Sequence, residues 1–455
     1  MTDLADHIRS TEPGLPQAES NPPPADPTNR LVIVVRADPV ICGHSGEARN
    51  LAEAALTRGY DDVRIVTWTI PALQAAGLPL KPLDAVLPYS PGITVERPEP
   101  VGDYRMPDGR ELGGLIGRLV ELFTEGVPTT AMSLYLTPHD SVVAEAARIA
   151  KATGMCAPLT TIAEAVGSDV TNVVNTAVEQ GRFGAAVQVL TTYLDNDVCV
   201  AVSDFTKEVI VNAARRIDER WGTELAPACV EKVAVSYPAI NAAAFTELDP
   251  AETAQRLASR GLEADGYVLY LSRLTKAKGV DDLINGFALS AVHRRVKLVI
   301  CGNGPEAMSL RALAASTPAA DRIVFFDDVD DAEKPHLMAG CASYVLPSKP
   351  RPEFVETFGI ALAENLLAGG GPVITCDTGG ILEAVGPFAT IVPPSHPTAI
   401  ANALNELILG LSCGERRRAS ASAANWAMRF DRAQVFDRLF ARLPESAGAN
   451  VVAAA

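Results

Sequence analysis

Short apolar runs alternate with longer segments of helical periodicity from residue 31 onward. The first run is LVIVVR, which is followed by the helical segment GEARNLAEAALTRG and a second run, VRIVTW. The same half of the chain continues with TAMSLYL, CAPLTTI, VCVAVS and VAVSY. A buried parallel strand reads as a nearly continuous apolar run, and the helices between strands cover the sheet. The pattern therefore predicts an α/β domain with a parallel, Rossmann-like sheet over residues 30–240.

A second cycle of the same kind begins at GYVLYLSRL. It continues through VKLVICG, RIVFFD, ASYVLP, PVITC and ATIVPP, each followed by a helical or loop segment. We therefore predict two Rossmann-like domains in tandem, with the second over residues 250–428. The join is expected near residues 238–249. Residues 69–111 are expected to form a long insertion rich in proline and glycine.

The two ends of the chain differ from its centre. Residues 429–445 are expected to form an amphipathic helix that packs either on the second domain or back on the first. Four apolar residues share one face of this helix: Val435, Phe436, Leu439 and Phe440. Residues 1–29 and 446–455 are expected to be a disordered arm and a disordered tail. The arm lacks the basic start and apolar core of an export signal.

Composition narrows the possible partners. Among 455 residues the net charge is -16, which argues against general binding to nucleic acid or to anionic membranes, although local basic positions can still bind phosphate. No apolar stretch reaches the roughly 18 residues that span a bilayer. The eight cysteines have no paired spacing, and several lie inside apolar runs. We therefore expect reduced cysteines and a cytoplasmic protein without integral membrane association.

Candidate chemistry is densest in the run PSKPRPEFVETFGIALAENLLAGGGPVITCDTGG. Glu356 lies in a proline-rich loop, Phe358 and Gly359 open an apolar helix, and Glu364 lies about two turns along it. The N-terminus of a helix has unpaired N–H groups and a partial positive charge. The run is therefore suited to an anionic, hydroxyl-rich ligand, with each carboxylate binding hydroxyls.

Basic and glycine-rich turns follow two strands of the second cycle. The first turn, RLTKAKG, contains Arg273 and Lys278 at the carboxyl end of a strand, where open α/β sheets bind ligands. Lys276 is less suited to contact a ligand, and a solvated basic turn is the alternative interpretation. The second turn, CGNGPE, contains Gly302 and Gly304, which either line a nucleotide pocket or only permit a tight bend.

The first domain offers two candidate loops at the same crevice. Gly43, His44 and Gly46 precede a helix, where backbone N–H groups can approach a phosphate or an acceptor. This is not the G-x-G-x-x-G fingerprint, and no acidic residue ends the next strand, which argues against a dehydrogenase. His139 and Asp140 end another strand. This histidine could carry a proton or bind a hydroxyl, and an N-cap by the aspartate is the alternative.

The glutamate run resembles the donor-site signature of retaining glycosyltransferases of family 4, which include sucrose-phosphate synthases, mannosyltransferases and the glycosyltransferase of mycothiol synthesis. That signature reads P-S-x-x-E-x-F-G-x-x-x-x-E-A-x-A-x-G-x-P-V-x-x-x-x-x-G-G. The chain departs from it at Asn365 and Leu367, in extra residues between Ser348 and Glu356, and in one extra glycine before Pro372. RLTKAKG similarly resembles R-L-x-x-x-K-G, and CGNGP resembles G-x-G-P.

This resemblance implies a GT-B fold, in which two Rossmann-like domains face a central cleft and the C-terminal helix returns to the first domain. It also implies a hexosyltransferase that takes its sugar from a UDP- or GDP-linked donor, with retention and with neither a cofactor nor a metal ion. Catalytic roles are implied for Glu356, Arg273, Lys278 and His139. Donor contacts are implied for Gly43, Gly46, Arg273, Lys278, Gly302, Gly304, Glu356, Phe358, Gly359, Ile360 and Glu364.

The first domain would hold the acceptor, with contacts from His44, His139, Asp140 and Glu164. Glu164 stands where the family usually has a histidine that touches the donor. A carboxylate would repel a diphosphate, so either the local geometry differs or Glu164 faces the acceptor. With Asp140 and Asp169 it would then attract an ammonium group, which suggests a small, amine-bearing acceptor.

Several alternatives stay open at this stage. The chain could be a pseudo-glycosyltransferase, a nucleotide-sugar epimerase or a non-catalytic homologue that binds the donor. Two Asp-x-Asp sequences, at residues 195–197 and 328–330, are explained by turns and helix caps rather than by a metal. An alanine-rich composition and a diverged acceptor domain favour specialised metabolism, such as an aminoglycoside or lincosamide pathway leading to an antibiotic. A homodimer is also possible.

Overall fold

The computed structural model describes residues 28–102, 109–351 and 354–444. The predicted C-terminal tail, and all of the predicted arm except residues 28 and 29, lie outside the described residues. Within the described part of the chain, no helix is both long and apolar enough to cross a lipid bilayer.

The first domain contains a seven-stranded sheet in which every pair of neighbouring strands is parallel. Its order is β3-β2-β1-β4-β5-β6-β7. The strands are β1 (Arg30–Val34), β2 (Asp62–Val66), β3 (Ile93–Glu96), β4 (Thr129–Leu134), β5 (Leu159–Ala165), β6 (Val198–Ala201) and β7 (Val233–Val235). All residues of β1, β4 and β6 are buried, as expected for strands covered on both faces.

Helices cover both faces of this sheet. They are α1 (Gly43–Leu56), α2 (Ile70–Ala75), α3 (Gly109–Thr124), α4 (Ser141–Thr153), α5 (Thr176–Glu179), α6 (Phe183–Leu194), α7 (Asp204–Trp221) and α8 (Leu225–Lys232). The region expected to be a long insertion, residues 69–111, contains the helix α2 and the edge strand β3, and α3 begins near its end. The residues of β3 are only partly buried or exposed, so the strand has no continuous apolar run that would predict it.

The second domain repeats the architecture with six parallel strands in the order β10-β9-β8-β11-β12-β13. The strands are β8 (Tyr267–Leu271), β9 (Lys297–Cys301), β10 (Ile323–Phe326), β11 (Ser343–Leu346), β12 (Val373–Thr375) and β13 (Ala389–Ile391). Two helices precede this sheet, α9 (Ala243–Thr246) and α10 (Pro250–Ser259). The others are α11 (Val280–Leu289), α12 (Ala307–Ala315), α13 (Lys334–Gly340), α14 (Ile360–Leu367), α15 (Ile381–Val385), α16 (Pro397–Leu404) and α17 (Cys413–Ala427). The prediction of two parallel α/β domains is thus confirmed.

The final helix, α18 (Arg432–Phe440), returns to the first domain, as the resemblance implies. Val435, Phe436, Leu439 and Phe440 join the buried cluster that contains β1 and α1. Asp437 on the exposed side forms an ion pair with Arg58.

The polypeptide passes between the domains twice, and the two passages lie side by side. Ile240, on the outward passage, donates its N–H to the carbonyl of Phe430 at 2.9 Å and accepts from Arg432 at 2.7 Å. Ile240 and Asp431 form a parallel bridge. We call this pair of segments, Ile240 with Phe430–Asp431, the double crossing.

Candidate active site between the two domains

A buried lysine and a glutamate meet at the carboxyl edge of the second sheet. Lys278 is buried, and its ammonium group forms an ion pair with the Oε2 atom of Glu356. Ser348 donates a longer hydrogen bond, of 3.4 Å, to the same carboxylate oxygen. The ring of Phe354 lies 5.0 Å from the lysine nitrogen. Because a buried charge is costly without a partner, the two residues hold one another in place at the cleft.

The helix that follows this pair begins at a glycine with a left-handed backbone. Gly359 has φ 98°, a conformation that side chains with a Cβ rarely adopt, and it is the N-cap of α14. Ile360 opens the helix, and its Cδ1 lies 3.0 Å from the position that a Cβ on Gly43 would occupy. The predicted glycine loop of the first domain therefore contacts the N-terminus of α14 directly. Gly46, by contrast, has open space beside its α-carbon.

Arg273 is exposed at the end of β8, with its guanidinium carbon 5.9 Å from the centre of the Phe354 ring. Two of the predicted donor glycines support the loop that carries it. A Cβ at Gly302 would meet the carbonyl of Ser272, and one at Gly304 would meet the carbonyl of Leu274. Gly302 also has φ 136°. Close backbone packing thus explains these glycines, and their predicted contact with a nucleotide stays a prediction.

Two further predicted donor residues have protein partners. Glu364 accepts a 2.7 Å hydrogen bond from Lys334, so a ribose binding there would share or displace that ammonium group. The ring of Phe358 is buried at the double crossing, 5.1 Å from the ring of Phe430 and 5.5 Å from that of Tyr237. The side chain of Phe358 therefore belongs to the contact between the domains. Its predicted contact with the donor stays a prediction.

The domains touch on both sides of the glutamate loop. A Cβ on Gly167, in the first domain, would collide with Thr357, and one on Gly380 would lie 3.1 Å from the hydroxyl of Ser203. Glu383 on α15 accepts hydrogen bonds from the first two N–H groups of α7, at 2.7 and 3.0 Å. Its carboxylate thus caps a helix of the other domain.

A second link between the domains lies near the glycine loop. Lys81 bridges Asp38 of the first domain, at 3.2 Å, and Asp331 of the second, at 2.5 Å. The cleft is closed in this structure.

His139 lies within the first domain rather than on the wall of the cleft. Its side chain is buried, and the rings of Trp68 and Tyr135 lie 4.9 and 5.9 Å away. Burial lowers the pKa of His139 to about 3, and the positive charge of Arg36 contributes to this shift. The imidazole is therefore neutral at physiological pH. It is suited to hydrogen bonding rather than to donating a proton, and its catalytic role stays a prediction.

Two nearby aspartates, Asp140 and Asp169, are buried and accept hydrogen bonds from the protein itself. Asp140 is fully buried, accepts 2.9 Å and 3.4 Å hydrogen bonds from Asn196 and Ser133, and makes no side-chain cap of α4. Burial raises the pKa of Asp140 to about 7. Asp169 accepts four backbone N–H groups, those of Leu136, Val166, Gly167 and Val170, at 2.9 to 3.2 Å. Asp169 therefore organises the loop after β5.

Glu164, the penultimate residue of β5, lies beside a glutamate that was not predicted from the sequence. Glu47, the fifth residue of α1, is also buried, and the two carboxyl groups interact within the first domain. Burial, followed by the charge of Glu47, raises the pKa of Glu164 well above its usual value. Both oxygens of Glu164 and the Oε2 of Glu47 have no hydrogen-bond partner among the described residues. His44 lies close by, with its Nδ1 3.9 Å from Glu47.

The two Asp-x-Asp sequences have local partners. Asp197 accepts the N–H of Thr161 at 2.8 Å, Asp328 pairs with Arg260 at 2.8 Å, and Asp330 accepts the N–H of Glu333 at 2.7 Å. These contacts join loops and cap the start of a helix.

Known structures share this architecture over nearly the whole chain. An Anabaena protein, HepE, crystallised with UDP and glucose, is 18% identical, with a TM-score of 0.63 and coverage of 90% of this chain and 98% of that one. Sucrose-phosphate synthase from Thermosynechococcus elongatus has the same identity and TM-score, with coverage of 91% and 98%. The lipopolysaccharide glycosyltransferase WaaG has a TM-score of 0.59 at 14% identity, with coverage of 92% and 99%. The chain therefore has the GT-B glycosyltransferase fold.

Sequence similarity is concentrated in the second domain. Residues 254–426 match the family described as glycosyl transferases group 1, so this domain belongs to that family and the resemblance noted from its motifs is confirmed. A GDP-mannose-dependent phosphatidylinositol monomannoside mannosyltransferase of Mycobacterium tuberculosis is 34% identical over 183 residues, covering 39% of this chain and 46% of that protein. N-acetyl-α-D-glucosaminyl L-malate synthase of Bacillus anthracis is 28% identical over 164 residues, covering 35% and 41%. The chain thus spans less than half the length of the curated relatives it matches.

Proposed function

We propose that this protein is a retaining, metal-independent hexosyltransferase that moves a sugar from a nucleotide diphosphate donor to a small hydrophilic acceptor. The observation that carries the proposal is the Lys278–Glu356 ion pair, held at the cleft beside the N-terminus of α14. A lysine buried at the start of a helix-lined crevice is suited to a phosphate. A carboxylate paired with it can at the same time accept hydrogen bonds from sugar hydroxyls.

The proposed mechanism transfers the sugar on one face. As the glycosidic bond lengthens, the departing diphosphate gains negative charge, which Arg273, Lys278 and the N–H groups of α14 stabilise more in the transition state than in the ground state. Glu356 orients sugar hydroxyls and steadies the positive charge that develops on the ring. The acceptor enters from the face that the diphosphate leaves and gives it a proton, so no protein nucleophile is required. Contacts across the closed cleft exclude water.

The donor is proposed to be linked to UDP or GDP. The relatives support both, since HepE was crystallised with UDP and glucose, and the Mycobacterium tuberculosis enzyme is named as GDP-mannose-dependent. Glu364 on α14 is proposed to bind the ribose, with Lys334 beside it. The cytoplasmic location proposed for the reaction is supported by the free thiols of Cys42, Cys156, Cys199, Cys229, Cys301, Cys341 and Cys376.

A thermal-shift screen of the protein with UDP, GDP, ADP and TDP is expected to single out one base. A ligand at about 100 times its Kd stabilises the native state by about 2.7 kcal/mol, which gives a clear rise in melting temperature. The Arg273→Ala variant should lose most of this shift, because its guanidinium is proposed to bind the diphosphate. Arg311→Ala, which removes an exposed arginine from α12 in the same domain, should keep the shift. The absence of a shift with every nucleotide would contradict the proposal and favour a non-catalytic homologue.

The acceptor is proposed to carry an amine, as in the aminocyclitols of aminoglycoside or lincosamide pathways. Support comes from Glu47 and Glu164, whose buried carboxyl groups interact with each other and have three oxygens without a donor among the residues described. Leaving such groups unsatisfied costs free energy, and an ammonium group would satisfy both carboxyls. Opening of the cleft would admit the acceptor to them.

Glu164→Gln is expected to remove a preference for aminated acceptors. Initial rates with an aminocyclitol and with its hydroxyl counterpart should differ at least tenfold in the wild-type protein and much less in the variant, while the KM of the donor stays unchanged. Glu145→Gln, on the exposed side of α4, serves as the matched control. Equal rates with both acceptors in the wild-type protein would disprove the amine.

Two alternatives use the same donor site. A pseudo-glycosyltransferase would couple a cyclitol in place of a sugar, and a nucleotide-sugar epimerase would release an altered sugar without an acceptor. Glu164, at the position where the family usually has a histidine, is the feature that keeps these alternatives open. Product analysis by mass spectrometry after incubation with the donor alone separates an epimerase from a transferase.

A further inference from the structure

Arg36 is a cation without a carboxylate partner in an acidic protein. It lies two residues after the end of β1, and its side chain is partly buried. Its guanidinium carbon lies 5.4 Å from the centre of the Tyr135 ring. No hydrogen bond or ion pair joins that guanidinium to any residue that the structure describes, although the protein has 55 acidic residues against 39 basic ones. A partly desolvated arginine in such a setting is suited to an anion from outside the chain.

A second such arginine approaches from the other domain. Arg273, described above, likewise has no ion pair within the described ranges, and its guanidinium carbon lies 5.9 Å from the centre of the Phe354 ring. Burial raises the pKa of the Cys42 thiol, while the positive charges of both Arg36 and Arg273 act to lower it. The backbone of Arg36 lies beside Cys42, whose sulfur is 3.9 Å from the Arg36 carbonyl oxygen, and the next residue, Gly43, contacts Ile360 of the second domain.

Two helix N-termini border the same space. Cys42 is the N-cap of α1, and its sulfur accepts the N–H of Ser45 at 3.4 Å. The first residue of α1, Gly43, lies against Ile360, the first residue of α14. The positive ends of both helices thus add to the two arginines. The two arginines and the two helix ends repel one another because all are positive. A ligand with at least two negative charges would best offset this repulsion.

We propose that Arg36 is a ligand of the donor's diphosphate, which it binds from the first domain opposite Arg273. This inference rests on the proposed function. It adds a contact from the domain that does not carry the donor motifs, so that the diphosphate itself joins the two domains. A guanidinium can donate two parallel hydrogen bonds to phosphate oxygens, and these bonds strengthen as the leaving group gains charge. Arg36 thereby becomes a further catalytic residue.

The test is isothermal titration calorimetry of the wild-type protein, Arg36→Ala and Arg36→Lys. The titrants are the nucleoside diphosphate selected by the thermal-shift screen and its monophosphate. Arg36→Ala should bind the diphosphate at least tenfold more weakly and the monophosphate within about threefold of wild type, since the base and ribose lie in the second domain. Arg36→Lys should recover part of the loss. Arg148→Ala, which removes the same charge from the exposed side of α4, should bind both ligands normally.

Three results would overturn the inference. Unchanged diphosphate affinity in Arg36→Ala, with normal binding by the wild-type protein, would leave the proposed function intact and remove Arg36 from the donor site. If Arg36→Ala raised the KM of the acceptor and left donor binding unchanged, Arg36 would be assigned to an anionic group of the acceptor. A wild-type protein that binds no nucleoside diphosphate would refute the proposed function and this inference together. Far-UV circular dichroism establishes that each variant is folded.

Discussion

Lys278→Ala is expected to lower kcat/KM by about 10³-fold, the usual order of magnitude for removing one group that stabilises a developing negative charge. Lys278 is buried and paired with Glu356, so no other side chain can replace its charge at that point. Because the stabilised charge develops only as the leaving group departs, most of the loss should appear in kcat. Steady-state rates with the donor selected by thermal shift provide the measurement.

Lys276→Ala is the matched control, since it removes the same side chain from an exposed position two residues earlier in the same turn. We expect its kcat/KM to remain within about twofold of wild type. Similar losses in the two variants would show that the general positive charge of the turn matters, and would contradict a specific role for Lys278.

Phe436→Ala is expected to destabilise the protein by about 3–5 kcal/mol, the range found for removing a large aromatic side chain from a core. The ring is fully buried, is stacked on Phe440 at 3.8 Å, and lies 6.1 Å from the ring of Tyr60. These contacts attach α18 to the first domain. The free energy of unfolding, from urea denaturation followed by circular dichroism, gives the measurement.

Gln434→Ala provides the comparison for this variant, because Gln434 is exposed on the same helix and alanine favours a helix. Its free energy of unfolding should change by less than about 0.5 kcal/mol, as for most surface substitutions. A Phe436→Ala protein as stable as wild type would mean that α18 does not pack on the first domain in solution.

The strands were predictable because parallel sheets covered on both faces produce apolar runs. Tyr267–Leu271 and Lys297–Cys301 lie within runs selected from the sequence. The edge strand Ile93–Glu96 was missed, since it is only half covered and its sequence, ITVE, is indistinguishable from a loop. The return of α18 followed from the resemblance, because its periodicity shows an apolar face without showing which domain that face covers.

The sequence motifs predicted individual site residues, but they did not predict which of those residues contact one another. Arg273, Lys278 and Glu356 follow from the motifs that contain them. The contact between Lys278 and Glu356 joins residues 78 positions apart, and only the fold brings them together. Glu47 gave no signal, because a single acidic residue within a helical run is ordinarily explained by the solvated face of the helix. Its pairing with Glu164 depends on how α1 packs across the sheet.

The double crossing at Ile240 and Phe430–Asp431 determines how this protein can be recombined. Because α18 completes the first domain, that domain is discontinuous in sequence. The second domain is an internal segment whose two ends, at Ile240 and Phe430–Asp431, lie next to each other in space. A chimaera that joined the N-terminal half of one homologue to the C-terminal half of another would place a foreign α18 against β1 and α1. Exchange of the donor specificity between homologues therefore requires transplanting residues 241–431 as a cassette, so that each acceptor domain keeps its own last helix.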